Sequence, residues 1–238
     1  MGRVRKSGGY RQLRSFQTAT IIYDATYWFC EKFLDSRSRT VDQMVQAARS
    51  GRQNIAEGSR AGATSCNTEL RLVNVAHASQ EELLLDYEDF IRHRRETQWT
   101  PDSQEALAVR NVAKVNSQRW ESLTDLERYD LYTPWLESDD SITRANALIC
   151  LIHQANYLLD QQIEALETQF VEEGGYSEAL AAKRIEHRNQ QKAGEQSYPP
   201  CPQCGGFLVL RTAKTGPKAG EQFLGCANYP TCKGTHKL

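Results

Sequence analysis

Along four segments of the chain, apolar residues recur at alternating steps of three and four, a spacing that is typical of amphipathic helices. These segments predict helices over about residues 15–34, 40–57, 65–94 and 148–170. Four such helices pack most simply as a bundle, because each apolar stripe is then covered by its neighbours. The pattern therefore predicts a mainly α fold whose body is a four-helix bundle over residues 15–175.

The ends of these helices are predicted from capping residues and glycines. Ser65, or Thr64 before it, is a preferred N-cap for the third helix. Gly58 and Gly62 follow the last apolar residue of the second helix, and a pair of glycines follows the fourth. Because glycine readily adopts the left-handed conformation that ends many helices, we expect the second helix to stop near residue 57.

Two segments depart from the four-helix pattern. The first is an insertion over residues 96–138, where Pro101 and Pro134 divide the apolar pattern into one or two shorter helices. We expect this insertion to decorate the side of the bundle. The second segment, residues 176–198, has the composition of a polar helix and a linker, and it precedes a small domain predicted over residues 199–238.

Four of the seven cysteines lie in this small domain and form two pairs. Cys201 and Cys204 are separated by two residues, and Cys226 and Cys232 by five. Zinc prefers four thiolates in a tetrahedron, and a two-residue gap lets one tight turn aim two sulfurs at the same ion. Short apolar segments between the pairs are typical of the strands of a zinc ribbon. The sequence therefore predicts a small carboxy-terminal zinc ribbon with one zinc ion bound by these four cysteines.

Charge is unevenly distributed along the chain. Residues 1–14 carry a net charge of +5 and residues 196–238 carry +4, so the total of −1 leaves −10 for residues 15–195. A basic arm over residues 1–14 and a basic tail thus flank an acidic body, and both ends are expected to contact phosphates. The sequence shows neither the ~20 apolar residues of a membrane span nor the apolar segment of a secretory signal. We therefore expect a cytoplasmic protein with no membrane partner.

Around its cysteines the zinc module carries a wider motif, which comprises Cys201-Pro202, Cys204-Gly205-Gly206, Leu208, Phe223, Gly225-Cys226, Asn228-Tyr229-Pro230 and Cys232. This motif resembles the four-cysteine zinc modules at the carboxy-terminal end of bacterial type IA DNA topoisomerases, which engage single-stranded DNA. The resemblance implies that Phe223 and Tyr229 stack on bases. It also implies phosphate contacts from four basic residues, Arg211, Lys214, Lys218 and Lys233. Alternatively, the two aromatic rings only cover the zinc ion, and the ribbon docks on protein.

A second motif, Asn54-Ile55-Ala56-Glu57-Gly58, ends the second predicted helix, with Gln43 and Ser50 before it and Ser79 and Glu82 on the third helix. The motif resembles a bacterial four-helix-bundle family named for proteins encoded in intervening sequences of ribosomal RNA genes. That family includes the accessory variability protein that partners the reverse transcriptase of diversity-generating retroelements. The resemblance implies a non-enzymatic bundle that assembles into a ring, pentameric in known members, and binds RNA or DNA.

Other polar residues of the bundle have simpler interpretations. The Glu57 carboxylate beside the Asn54 amide has the chemistry of a general base. The sequence supplies no nucleophile, metal cluster or phosphate-binding loop to complete an active site, so we predict no catalysis. His77 and His153 fall within apolar stripes and are predicted to be core histidines rather than ligands. His236 follows the last cysteine and is at most a spare zinc ligand, because four thiolates already suffice. Local basic patches are predicted from eight arginines, or these pair with nearby acids on a solvated face: Arg37, Arg39, Arg49, Arg52, Arg60, Arg92, Arg94 and Arg95.

Together these features predict a non-enzymatic, nucleic-acid-binding accessory protein. In this hypothesis the bundle forms a homo-oligomer or docks a partner, which the resemblance implies is a reverse transcriptase or another mobile-element protein. The tethered zinc ribbon holds single-stranded DNA or RNA, and the tether raises the local concentration of this second contact. The alternative is a protein-interaction scaffold whose ribbon docks protein. Because phosphate binding weakens steeply with salt, salt dependence distinguishes the two hypotheses.

Overall fold

The computed structural model describes residues 9–63, 65–173, 181, 183–188, 198–213, 215 and 219–237. The chain divides into two compact units, Met1–Tyr176 and Ser177–Leu238, which we call the helical body and the zinc-ribbon unit. The helices of the helical body are α1 (Arg14–Phe33), α2 (Arg39–Ala61), α3 (Cys66–His93), α4 (Gln104–Val115), α5 (Asp125–Asp130), α6 (Thr133–Leu136) and α7 (Ser141–Glu173). The strands of the ribbon are β1 (Leu208–Thr212), β2 (Gln222–Cys226) and β3 (Thr235–His236).

The four long helices pack around one another in a closed cycle. α1 and α3 each contact both α2 and α7, so every apolar stripe faces two neighbours. The core between them contains the fully buried side chains of Ile22, Phe29, Leu83 and Tyr87. The predicted mainly α fold with a small carboxy-terminal ribbon is confirmed. Of the segment predicted as a polar helix, residues 183–188 are helical, and most of the rest lies outside the described residues.

The insertion packs against α1 and α7 on one side of the bundle, and its apolar side chains extend the buried core. Trp120, between α4 and α5, is only 1% exposed, and its indole Nε1 donates a hydrogen bond to Gln17 Oε1 on α1 at 2.8 Å. Tyr132 and Leu136 belong to the same buried cluster as the residues of α1, α3 and α7. The insertion thus covers apolar surface that the four long helices leave uncovered.

Helix α7 begins seven residues before its predicted apolar stripe. The Asp140 carboxylate accepts hydrogen bonds from the backbone N–H groups of Ile142 and Thr143 at 3.2 and 2.9 Å, which satisfies free donors at the helix start. The hydrogen bonds from Thr143 lower the pKa of Asp140 below its usual range. The first turns of α7 also bury polar residues. Arg144 and Asn146 are both nearly inaccessible, and they bond to the backbone of the insertion.

Helix α2 does not end at Gly58, as the sequence pattern predicted, but continues to Ala61. Gly58 is buried inside the helix, and a Cβ atom there would lie 3.4 Å from the Glu69 carbonyl oxygen and from Leu72 Cβ on α3. Gly62, which follows the helix, has φ −58° and therefore is not left-handed either. Neither glycine therefore forms the left-handed turn that was predicted, and α3 lies at ordinary van der Waals distance from a Cβ atom at Gly58.

Two substitutions compare a glycine of α2 that has room for a side chain, Gly58, with one that does not, Gly51. Gly58→Ala is expected to be neutral or to stabilise the protein by up to about 1 kcal/mol, because alanine favours the helix and its Cβ meets only ordinary contacts. Gly51→Ala, on the same helix, is expected to melt at a lower temperature than Gly58→Ala, because its Cβ would overlap the side chain of Gln80, which is completely buried. Thermal unfolding followed by circular dichroism measures both. A large loss in Gly58→Ala would instead support a turn at this position.

Candidate metal centre and nucleic-acid interface

The ribbon is a three-stranded antiparallel sheet in the order β1-β2-β3, and its two faces differ in chemistry. Side chains alternate between the faces of a strand, so Leu224 and Cys226 of β2 point to one side and Phe223 and Gly225 to the other. Leu224 and Cys226 are buried with Leu208 in a very small apolar cluster. Phe223 pairs with Arg211 across the sheet, on the face opposite this cluster.

The four predicted zinc ligands come together at one end of the sheet. The sulfur atoms of Cys201, Cys204, Cys226 and Cys232 all lie within 4.8 Å of one another. The Cys201–Cys232 and Cys204–Cys226 sulfur pairs are separated by 3.8 and 3.5 Å. A tetrahedron with zinc–sulfur bonds of about 2.3 Å has edges of about 3.8 Å. The donor set therefore fits one tetrahedral zinc ion, and the prediction of a zinc ribbon is confirmed.

Glycines and backbone N–H groups adapt the chain to these sulfurs. Gly205 has φ +69°, which forms the tight turn of the first pair, and its N–H donates to the Cys201 carbonyl oxygen at 2.9 Å. Gly234 packs directly against the Cys201 sulfur, where any Cβ atom would overlap it. The backbone N–H of Gly206, followed by the neighbouring Cys226 thiol, lowers the pKa of Cys204 to about 7. The hydrogen bond from Gly206 thus favours the thiolate form of Cys204, the form that binds zinc.

A shallow depression with a volume of about 700 Å³ lies on the Phe223 side of the sheet and reaches the zinc ligands Cys226 and Cys232, and we call it the aromatic depression. Its lining includes four of the six residues that were predicted to contact nucleic acid: Arg211, Phe223, Tyr229 and Lys233. The Tyr229 side chain is 59% exposed and Lys233 is also exposed, so both are open to a ligand. The other two predicted residues, Lys214 and Lys218, lie outside the described residues.

Arg211 is held in place by the ribbon itself. Its Nη2 donates to the Cys226 carbonyl oxygen at 3.3 Å, and its guanidinium carbon lies 5.5 Å from the centre of the Tyr229 ring. Its Nε is buried without an acceptor among the described residues. Arg211 therefore links the zinc ligand Cys226 to the exposed ring of Tyr229, so that the depression and the metal centre share a framework.

The sequence interpretation missed Gly225 and Thr235, which also line the aromatic depression. A Cβ atom on Gly225 would lie 2.9 Å from Arg211 Cδ and 3.3 Å from Phe223 Cε2, so the glycine gives these two side chains room to lie flat over the strand. Alternation along β2 could have placed Gly225 beside Phe223. Thr235 belongs to a two-residue strand that no local pattern indicates.

Most arginines of the predicted basic patches are engaged locally. The guanidinium of Arg52 lies 4.1 Å from the centre of the Tyr23 ring, and that of Arg94 lies 3.5 Å from Phe90. Arg92 forms an ion pair with Asp89 at 2.5 Å. Arg92, like Arg37 beside Asp35, thus has the acidic partner that the alternative expected, whereas the ring contacts of Arg52 and Arg94 leave their positive charge in place.

The motif at the end of α2 joins two helices. Asn54 Nδ2 donates to the carbonyl and hydroxyl oxygens of Ser50 at 2.9 and 3.1 Å, and the Ser50 and Ser79 hydroxyls are 2.9 Å apart. This hydrogen-bonded chain runs from α2 to α3, whereas Glu57 is exposed. The contact between the two helices is thus made by Ser50 and Ser79, and Asn54 supports the Ser50 hydroxyl from within α2.

The histidines are placed differently from their predictions. His153 is exposed on α7, because it lies one position beyond the buried face that includes Ile152. His77 is partly exposed, and its Nε2 lies 3.2 Å from an Asp160 carboxylate oxygen. His236 is exposed on β3, and the described side chains that cluster as metal ligands are the four cysteines alone. His153 is therefore a surface residue and not a core one, whereas His77 lies at the edge of the core with a carboxylate partner.

Comparisons with known proteins find relatives of the zinc ribbon but not of the helical body. Residues 200–238 match the sequence model of the family described as "Topoisomerase DNA binding C4 zinc finger". Over 38 residues the chain is 54% identical to DNA topoisomerase 1 of Archaeoglobus fulgidus, a region that covers 16% of this chain and 5% of that protein. The chain thus shares one small module with that topoisomerase. No solved structure matches this chain.

The topoisomerase-type part of the predicted resemblance is confirmed by these matches. The resemblance of the helical body to the intervening-sequence and retroelement family is not shown by them, and it stays a prediction. Among the described residues, none of the helices has both the length and the apolar character that crossing a membrane requires.

Proposed function

We propose that this protein binds single-stranded DNA through its zinc ribbon, while the helical body holds a partner or further copies of the chain. The observation that carries the proposal is the convergence of Phe223, Tyr229, Arg211 and Lys233 on one depression of a topoisomerase-type ribbon. Two aromatic rings beside two cations are the elements that bind a strand by stacking and by charge.

The exposed ring of Tyr229 favours an unpaired strand as the ligand. Bases of a duplex are already stacked on their neighbours, so their faces reach a protein ring only when the strand is open. The Tyr229 ring is exposed, and Arg211 lies against it, which limits its motion. A ring held in this way loses little conformational freedom on binding a base.

The helical body has a different role in this proposal. Residues 15–195 carry a net charge of −10, which opposes a broad phosphate-binding surface there. The body is instead a non-enzymatic platform, and the resemblance of its α2 motif implies a reverse transcriptase or another mobile-element protein as the partner. Ring assembly of the body and a cytoplasmic location remain predictions of the same kind.

Tyr229→Ala is expected to weaken binding to a short single strand of DNA, because removal of one stacking ring costs about 1–3 kcal/mol. The matched control is Phe207→Ala, which removes an aromatic side chain of similar exposure (58%) from the same ribbon but outside the lining of the aromatic depression. Fluorescence anisotropy with a labelled strand measures both affinities. Zinc content is measured alongside, so that a variant that has lost its metal is recognised.

The salt dependence of the same titrations tests the contribution of charge. Lys233→Ala is expected to reduce the slope of log affinity against log salt by roughly 0.7, the value for one lost phosphate contact on a single strand. Equal losses of affinity in Tyr229→Ala and Phe207→Ala would indicate that the strand does not bind in the aromatic depression. A full-length protein that binds neither DNA nor RNA at low salt would reject the proposal and favour a ribbon that docks protein.

A further inference from the structure

A surface groove runs along the first half of α2, between α1 and α3, and we call it the acidic groove. It has a volume of about 1120 Å³ and belongs entirely to the helical body. Its apolar lining includes Tyr27 of α1, Val41 and Val45 of α2, and Leu85 of α3. Among the described residues, the lining comes from three of the four long helices, α1, α2 and α3, and from no other helix.

The groove exposes large apolar side chains that the fold itself does not require there. Tyr27 is 47% exposed and Leu85 is 59% exposed. Trp28, next to Tyr27 on α1, is 52% exposed, and the two rings meet edge to face with centres 5.3 Å apart. Trp28 lines a separate depression with Tyr129 and Glu137, so Tyr27 is the aromatic residue of the groove. Exposed tyrosine beside other apolar side chains is enriched in protein interfaces, where it contributes much of the binding energy.

Carboxylates surround the apolar lining. Asp42 on α2 and Glu82 and Asp86 on α3 all line the groove, against one basic lining residue, Arg39. Burial, and then the neighbouring carboxylates of Asp89 and Glu82, raise the pKa of Asp86. The negative charges in the groove are therefore crowded, and positive charge brought by a ligand relieves their repulsion.

We propose that the acidic groove binds a basic, amphipathic helix of a partner protein, an inference that specifies the docking role of the helical body in the proposed function. Because the walls are helices with their backbone hydrogen bonds already made, they offer no strand edge, and a helix laid in the groove is the fitting ligand. The α2 wall from Arg39 to Ser50 extends about 16 Å, which matches about three turns of helix. Apolar residues of that helix meet Tyr27 and Leu85, and lysine or arginine residues on its flanks meet the three carboxylates.

The same charges argue against two other occupants. A twofold contact between copies through this groove brings like carboxylates together, which costs free energy at every pair. The head-to-tail contact of a ring avoids this repulsion only if the next copy presents basic side chains to the groove, and loss of the oligomer in Leu85→Ala would reveal it. Nucleic acid carries the same sign of charge as the groove and is repelled by it. A basic protein segment is the occupant that satisfies both the apolar lining and the charge.

The test uses the full-length protein and a labelled helical peptide of about 14 residues, with leucines spaced three and four apart and lysines on both flanks. A peptide with glutamate in place of lysine is the matched probe. We expect Leu85→Ala to weaken binding of the lysine peptide about tenfold, as removal of a central apolar anchor does. Leu126→Ala, which removes an exposed leucine of α5 outside the groove, is expected to leave binding unchanged.

Charge is tested in the same titrations. Glu82→Gln is expected to weaken the lysine peptide severalfold and to reduce its salt dependence, whereas Glu164→Gln, an exposed residue on α7, is expected to change little. Equal effects of the groove variants and their controls would overturn the proposal, because they indicate unspecific attraction to an acidic protein. Stronger binding of the glutamate peptide would overturn it as well.

Two further measurements distinguish the rival occupants. Peptide affinity that rises when residues 1–8 are removed would assign the groove to the chain's own basic arm. A dimer that dissociates in Leu85→Ala at equal concentration would assign it to a second copy. Either result overturns the proposal of a partner helix. Both titrations are also run on the unaltered protein: peptide binding without DNA binding rejects the ribbon function alone, and DNA binding without peptide binding rejects only the groove.

Discussion

Cys204→Ser is expected to abolish stoichiometric zinc binding and to unfold the ribbon, while the helical body keeps its helical signal. The sulfurs of the four cysteines lie within 4.8 Å of one another, and the ribbon core adds little more than Leu208 and Leu224. Structural zinc contributes on the order of 10–16 kcal/mol to modules of this kind, so few other interactions remain to replace it. Metal analysis and circular dichroism of the purified protein measure the two effects.

The matched control for this substitution is Cys66→Ser. Cys66 begins α3 in the helical body, and its thiol donates to the Leu166 carbonyl oxygen at 3.6 Å, a contact that a serine hydroxyl can also make. This variant is expected to retain one zinc ion per chain. Unchanged zinc content in Cys204→Ser would refute the ligand assignment, and loss of the helical signal in that variant would show that the two units do not fold separately.

Trp120→Ala is expected to be the most damaging single truncation in the helical body. Removing a buried tryptophan usually costs about 3–5 kcal/mol, because a cavity remains where its contacts were. The substitution also leaves the Oε1 atom of Gln17, a residue only 1% exposed, without the hydrogen bond that the Trp120 indole donates. An unpaired buried amide oxygen adds about 1–3 kcal/mol to the loss of stability. Denaturant unfolding followed by circular dichroism is the measurement.

Trp28→Ala is the control for this experiment, since Trp28 is 52% exposed and its loss leaves no closed cavity. Its effect on the free energy of unfolding is expected to stay below about 1 kcal/mol, as for most surface substitutions. Similar, small effects in the two variants would mean that the insertion adds little to the core after all.

The long helices were predictable because their apolar stripes are local patterns. α1 was expected over residues 15–34 and is found at Arg14–Phe33, and the predicted N-cap Ser65 accepts a hydrogen bond from the Thr68 N–H. The errors arose where a residue's role depends on a distant partner. Gly58 was interpreted as a helix end because the sequence alone does not show that α3 lies against it. The start of α7 was predicted too late for the same reason, because the buried Arg144 and Asn146 are polar and break the apolar stripe there.

The candidate site shows a similar division. The zinc ligands were predictable, since the geometry of one metal ion fixes both the residue type and the spacing of its ligands. The placement of Phe223, Tyr229 and the basic residues came from a resemblance, and the structure adds that Arg211 connects the Tyr229 ring to Cys226. The acidic groove had no counterpart in the sequence interpretation, because its walls are three helices that meet only after folding.

The contact between Trp120 and Gln17 spans 103 positions of the chain, and α7, which closes the cycle of long helices, begins only at Ser141. During synthesis, α1, α2 and α3 therefore leave the ribosome well before the segments that cover their apolar faces. The nascent chain must keep these faces from associating with other chains until α7 is complete. The helical body thus folds late in translation, and an early stop before α7 yields a product for chaperones and proteases rather than a smaller bundle.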